Sequence, residues 1–110
     1  MPYDDELANR IRELVQGESG LSEKRMFGGL AFLINGNLAA SASSKGGLLV
    51  RVDAAHTESL VSEPHVRRFE MRGREMDGWL GIDAEAVETD AALRRWVSRG
   101  VAVARSLAPK

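Results

Sequence analysis

Apolar residues near the start of the chain recur at helical spacing. Leu7, Ile11, Leu14 and Val15 stand at i, i+4, i+7 and i+8, one stripe of a helix over about Asp4 to Gln16. Asp4, Asp5 and Glu6 suit its positive amino end, and Gly17 marks its stop. From Ser22 the spacing shortens to that of strands. Met26-Phe27-Gly28-Gly29 and Leu30-Ala31-Phe32-Leu33-Ile34 read as one long strand, bulged or bent at the paired glycines. Asn35-Gly36 predicts a type I′ hairpin into Asn37 to Ser41, setting Ile34 opposite Asn37, Leu33 opposite Leu38 and Ala31 opposite Ala40. Ser43 to Gly47 reads as a second turn and Leu48 to Val52 as a third strand.

Asp53 caps a short helix through about Val61, which Pro64 ends. A second hairpin follows, with Arg68 to Arg72 and Glu75 to Asp83 flanking Gly73-Arg74, a pair suited to a type II′ turn. That register pairs Arg72 with Glu75, Met71 with Met76, Phe69 with Gly78 and Arg68 with Trp79. One face then carries Phe69, Met71, Met76, Leu80 and Ile82, and the other Arg68, Glu70, Arg72, Glu75, Asp77 and Trp79. A last helix begins at Thr89 or Asp90, with Leu93, Trp96, Val97, Gly100, Val101, Ala104 and Leu107 on its stripe. Gly costs about 1 kcal/mol against Ala inside a helix. Its place within the stripe predicts close approach to a strand.

The order is α-β-β-β-α-β-β-α. It predicts an α+β two-layer sandwich, an antiparallel sheet of about five strands with helices on one face. One domain spans residues 1–110. Leu30 to Ile34 is apolar on both faces, so a cover is expected for the second one. A homodimer is the simplest source, with Leu30, Phe32 and Ile34 as the candidate dimer or partner face.

Composition narrows the function classes. The net charge of −1 gives no global field toward nucleic acid, so direct DNA binding is not favoured. The absence of cysteine excludes thiolate chemistry and Cys-ligated zinc. No apolar run is long enough to span a membrane, and the acidic amino end is unlike a secretory signal, so a cytoplasmic protein is expected. Ser41, Ser43, Ser44 and Thr57 sit in no G-x-S-x-G elbow, and His56 and His65 lack metal-binding spacing. The glycines at Gly28-Gly29 and Gly46-Gly47 match no phosphate loop and read as turn and bulge. Asp83, Glu85, Glu88 and Asp90 suit the approach to the last helix. No catalytic, cofactor-binding or metal residues are therefore expected.

The densest basic stretch is Arg67, Arg68, Arg72 and Arg74, with Phe69 interleaved and Lys24, Arg25 and Arg51 as candidate neighbours, and with Trp79 it forms the candidate contact for nucleic acid or a small ligand. Against that stand Glu70, Glu75 and Asp77, which favour a solvated face with an Arg72–Glu75 pair and Arg68 over Trp79. Met26, Met71 and Met76 read as core filling before a plastic binding groove.

Lys24-Arg25-Met26-Phe27-Gly28-Gly29-Leu30-Ala31-Phe32, followed by Asn35-Gly36, resembles the amino-terminal domain of the TfoX/Sxy family. Pro64-His65, Gly73-Arg74-Glu75-Met76-Asp77-Gly78-Trp79 and Trp96-Val97-Ser98-Arg99-Gly100-Val101-Ala102 extend the resemblance in the same order along nearly the whole chain. It implies a fold like that of type III secretion chaperones and a non-catalytic protein-interaction module. Family members that regulate competence are transcriptional activators thought to work with the cyclic-AMP receptor protein, and they carry a second, helical domain. A stand-alone amino-terminal domain is expected here, with a protein partner, transcription machinery among the candidates, and no cofactor.

Overall fold

The computed structural model describes residues 3–26, 28–44, 46–71 and 73–109, without the side chains of Met71 and Met76. Helix α1 (Asp5–Val15) starts where Asp4 accepts hydrogen bonds from the amides of Glu6 and Leu7, at 2.9 and 3.2 Å. Its stripe buries Leu7, Ala8, Ile11 and Val15. Strands β1 (Leu21–Met26), β2 (Gly29–Ile34), β3 (Asn37–Ala42) and β4 (Leu48–Arg51) follow. A 3-10 turn capped by Asp53 leads into the single-turn helix α2 (Thr57–Leu60). Then come β5 (Val66–Met71), β6 (Arg74–Ile82), a second 3-10 turn (Ala84–Val87) and α3 (Asp90–Ser106), capped by the Thr89 side chain.

Among the described residues the sheet has six strands in the order β1-β2-β3-β4-β6-β5, all antiparallel to their neighbours. The two-layer α+β reading holds, but the strand count of about five is corrected to six. The extra strand is β1. Met26 pairs with Gly29, so the paired glycines end a hairpin turn instead of bending one long strand. Gly28 takes φ +78°, and a Cβ on Gly29 would lie 2.2 Å from the Ala42 carbonyl oxygen. Both positions need glycine for separate reasons, one conformational and one steric.

The Asn35-Gly36 hairpin forms as predicted, with φ values of +52° and +83°. Ile34 faces Asn37 and Leu33 faces Leu38, but the register then shifts, so that Phe32 faces Ala40 and Ala31 faces Ser41. Ala39 is the extra residue of a β-bulge, and the predicted Ala31–Ala40 pair is not made. The bulge lies under α3: a Cβ on Gly100 would meet the Ala39 oxygen at 2.1 Å and Val50 Cγ2 at 2.8 Å. This is the close strand approach that glycine inside the helical stripe implied.

Two rows of side chains cross the sheet beneath the helices. Leu30, Ala42, Leu48, Ile82 and Val66 align in one, and Phe32, Ala40, Val50 and Leu80 in the next. With Ile11 of α1 and Leu93, Trp96 and Val97 of α3 they form the main core. Phe32 and Ile34 are 0% exposed and Leu30 is 8% exposed. The three residues expected to form a dimer or partner face are therefore core, because strand alternation points them at the helices.

The other face belongs to Ala31, Leu33, Leu38 and Leu49, all buried. Met26 from one edge strand, and Phe69 and Trp79 from the β5–β6 hairpin, pack over them. The reason lies in the register of that hairpin. Met71 faces Arg74, Glu70 faces Glu75 and Phe69 faces Met76, but Arg68 then faces Leu80. Asp77, Gly78 and Trp79 have no partner on β5. Arg74 is thus paired in the strand and the turn is not centred on Gly73-Arg74; Arg72 lies outside the described residues. An odd insertion switches faces. Trp79 joins Phe69 on the helix-free side while Leu80 and Ile82 enter the core, so the predicted face joining Phe69 to Leu80 and Ile82 is corrected. Gly78 holds the bend at φ +86°: its amide donates to Thr57 Oγ1 (2.8 Å) and its carbonyl accepts from the Val52 amide (2.9 Å). The chain covers its own second apolar face.

Candidate functional site

The predicted basic contact does not assemble as one surface. Alternation along β5 sends Arg67 and Arg68 to opposite faces. Arg67 is bound to Asp83, whose other carboxylate oxygen lies 3.2 Å from His65 Nδ1. Arg68 Nε donates to Asp77 Oδ1 at 2.9 Å, and its terminal nitrogen lies 3.7 Å from Glu58. Arg74 is exposed at the hairpin end, opposite Met71. Arg72 lies outside the described residues, and the register sets Glu70, not Arg72, opposite Glu75. Trp79 is stacked by Arg51, with the guanidinium carbon 4.5 Å from the ring centroid. The cation–π contact predicted from Arg68 is thus made by Arg51, the cross-strand neighbour of Trp79 on β4. The adjacent Arg67 and Arg68 are divided by the pleat, and each is paired with its own carboxylates.

Electrostatics follow from these pairings. Arg67 hydrogen-bonds Asp83 and, with a smaller contribution from His65, holds that carboxyl below its ordinary range. Arg95 does the same to Glu63, and Arg12 to Glu23 through two hydrogen bonds of 2.8 and 2.9 Å. An open cleft of about 460 Å³ runs beside Asp83, lined also by Ser43, Leu49, Arg67, Phe69 and Glu70. A carboxylate pulled down by an arginine is a weak proton acceptor, so Asp83 is poorly suited to act as a base itself. His56 and His65 are both exposed, one in the 3-10 turn and one after Pro64 at φ +65°. Among the described residues no group of three or more His, Cys, Asp or Glu could hold a metal ion. Gly28 and Gly46 serve turns, the second closed by hydrogen bonds between Ser43 and Gly47 and between Gly46 and Ser43. Met26 packs on the second apolar cluster, while the side chains of Met71 and Met76 lie outside the described residues.

Lys24 and Arg25, candidate neighbours of the Arg67–Arg74 stretch, lie instead on a separate strand at the opposite edge of the sheet from β5. β1 sits at the sheet edge with Ser22, Glu23, Lys24 and Arg25 exposed on both of its faces. Every second residue of an edge strand turns its N–H and C=O away from its only neighbour. The opposite edge, β5, carries arginines that are already paired. Of the charged side chains on β1, Glu23 is held by Arg12, and among the described residues Lys24 and Arg25 have no ion-pair partner.

Fold and surface together define a two-layer α+β domain whose distinctive feature is an open, charged strand edge beside a core closed on both faces. The family model described as the TfoX N-terminal domain matches residues 13–104, and the chain belongs to that family. Neither the curated proteins nor the solved structures give a match. No helix among the described residues is long and apolar enough to cross a membrane.

Proposed function

We propose that this domain is a non-catalytic protein-interaction module, with a component of the transcription apparatus as the first partner to test. The observation that supports it best is the exposed edge β1, a strand with unused backbone hydrogen-bonding groups at the margin of a closed core. Membership of the TfoX N-terminal family supports the same reading. The homodimer expected from two-sided apolarity of β2 loses that support, since Leu30, Phe32 and Ile34 are core and Ala31 and Leu33 are covered. Within this reading we assign the module to the cytoplasm, consistent with a cysteine-free chain.

The test is capture with the tagged chain in its native cell, followed by reconstitution from purified components. The expected result is a protein that co-purifies and rebuilds a complex of fixed stoichiometry in sedimentation. Retention of abundant bystanders alone, none forming a complex when purified, overturns the reading.

A further inference from the structure

We infer that the outer edge of β1 receives an extended acidic segment of a partner protein, which adds a strand to the six already present. This rests on the interaction-module reading and names the partner's chemistry. Three features of the strand carry it.

The first is vacancy. Ser22 to Arg25 are exposed, and among the described residues the side-chain hydrogen bonding that reaches them from another element is that of Arg12 of α1 on Glu23. The second is the distribution of charge. Register places Lys24 opposite Ala31, on the helix-free face, and Arg25 opposite Leu30, on the helix face. Both cations lack ion-pair partners among the described residues, whereas Glu23 is held by two hydrogen bonds from Arg12. The edge thus presents one unneutralised cation to each face at consecutive positions. An incoming strand with two consecutive carboxylates also points one to each face, which matches Lys24 and Arg25 together.

The third feature is what the edge rejects. An antiparallel pairing of β1 with a second copy, keeping the sheet faces continuous, places one residue opposite itself on the symmetry axis. In the registers that overlap most of the strand, that residue is Glu23 or Lys24, and either puts like charges in direct contact. Glu23 would relieve the Lys24 register by facing Arg25, but Arg12 already occupies it. Charged edges of this kind block self-pairing. The same charges favour an acidic heterologous strand.

The test titrates the full chain with the peptide Ac-VTEETV-NH2, following backbone amides by NMR. Shifts centred on residues 21–26 that weaken as salt is raised are expected. The variant Lys24→Glu/Arg25→Glu, whose folding is checked by circular dichroism, is expected to lose at least about tenfold in affinity. The same variant is expected to bind Ac-VTKKTV-NH2 instead, so charge and not strand disruption is read. Absence of shifts, shifts centred on β5, an unchanged affinity in the variant or a β1-dependent dimer in sedimentation each overturns the inference. A reconstituted partner complex that survives Lys24→Glu/Arg25→Glu also overturns it, while leaving the interaction-module reading intact.

Discussion

The two faces of the sheet are buried by different means. On the helix side, long side chains such as Phe32, Leu48, Leu80 and Ile82 meet two helices and are at most 1% exposed. On the other side, Ala31, Leu33, Leu38 and Leu49 are covered, among the described residues, by Met26 and by the bent hairpin that brings Phe69 and Trp79. One cover is a packed layer and the other is an edge folded inward. Apolarity on both sides of a strand therefore need not signal a second subunit, because a bulge can turn the sheet's own margin into the lid.

Substitutions can test how unequal the two covers are. Phe32→Ala, in the middle of the helix-covered core, is expected to cost about 3–5 kcal/mol and to abolish or broaden the thermal transition. Gly100→Ala comes next. Helix propensity alone favours alanine by about 1 kcal/mol. The contacts at 2.1 and 2.8 Å reverse that sign, and a net loss of about 1–3 kcal/mol in chemical denaturation is expected. A gain in stability would show that α3 does not seat tightly on the Ala39 bulge.

Thr57→Val attacks the hinge of the other cover. It removes the acceptor for the buried Gly78 amide, with an expected cost of about 1–3 kcal/mol and faster hydrogen exchange at Gly78 and Trp79. Phe69→Ala strips the lid itself. A loss of about 1–2 kcal/mol is expected, smaller than for Phe32→Ala because the ring is only half-buried, together with increased binding of an apolar dye. Equal losses at Phe32 and Phe69 would erase the distinction between the faces.

The smallest effect is electrostatic. Asp83, Glu63 and Glu23 have folded-state values below their unfolded ones, so their pairs contribute fully above the ordinary carboxylate range. That contribution is lost as pH falls from about 4 through the lowered folded values, and a modest drop in melting temperature is expected there. Neutralising Asp83 by Asp83→Asn is expected to flatten its share of the acid limb.

What could be read from the sequence followed how strongly each residue constrained the backbone. Asn35-Gly36 specifies a turn because both residues accept positive φ, and that hairpin was legible down to its first pairs. The Ala39 bulge was not, because Leu-Ala-Ala-Ser offers no residue whose conformation or size marks the extra position. Gly73 accepts either central turn position, so the second hairpin was predicted one residue out of place. Gly78 carried the missing signal: glycine inside a strand marks a bulge. β1 was overlooked because its sequence, Leu-Ser-Glu-Lys-Arg-Met, is polar on both faces and has no period-2 contrast. The candidate site failed for a related reason. Alternation across the pleat separates Arg67 from Arg68, and the residues inserted before Leu80 move Trp79 off the face it was to share with Arg68.

The seating of α3 on the Ala39 bulge bears on how the molecule is made. Leu93, Trp96, Val97 and Ala104 supply core contacts to strands encoded some fifty residues earlier, and the Asn37 amide reaches the Ala108 carbonyl at 2.9 Å. A nascent chain that has cleared the ribosome only through β6 still shows Val50 and Leu80 to water. Closure must wait for the final helix to emerge, and during that interval the unfinished sheet is a natural client for chaperones.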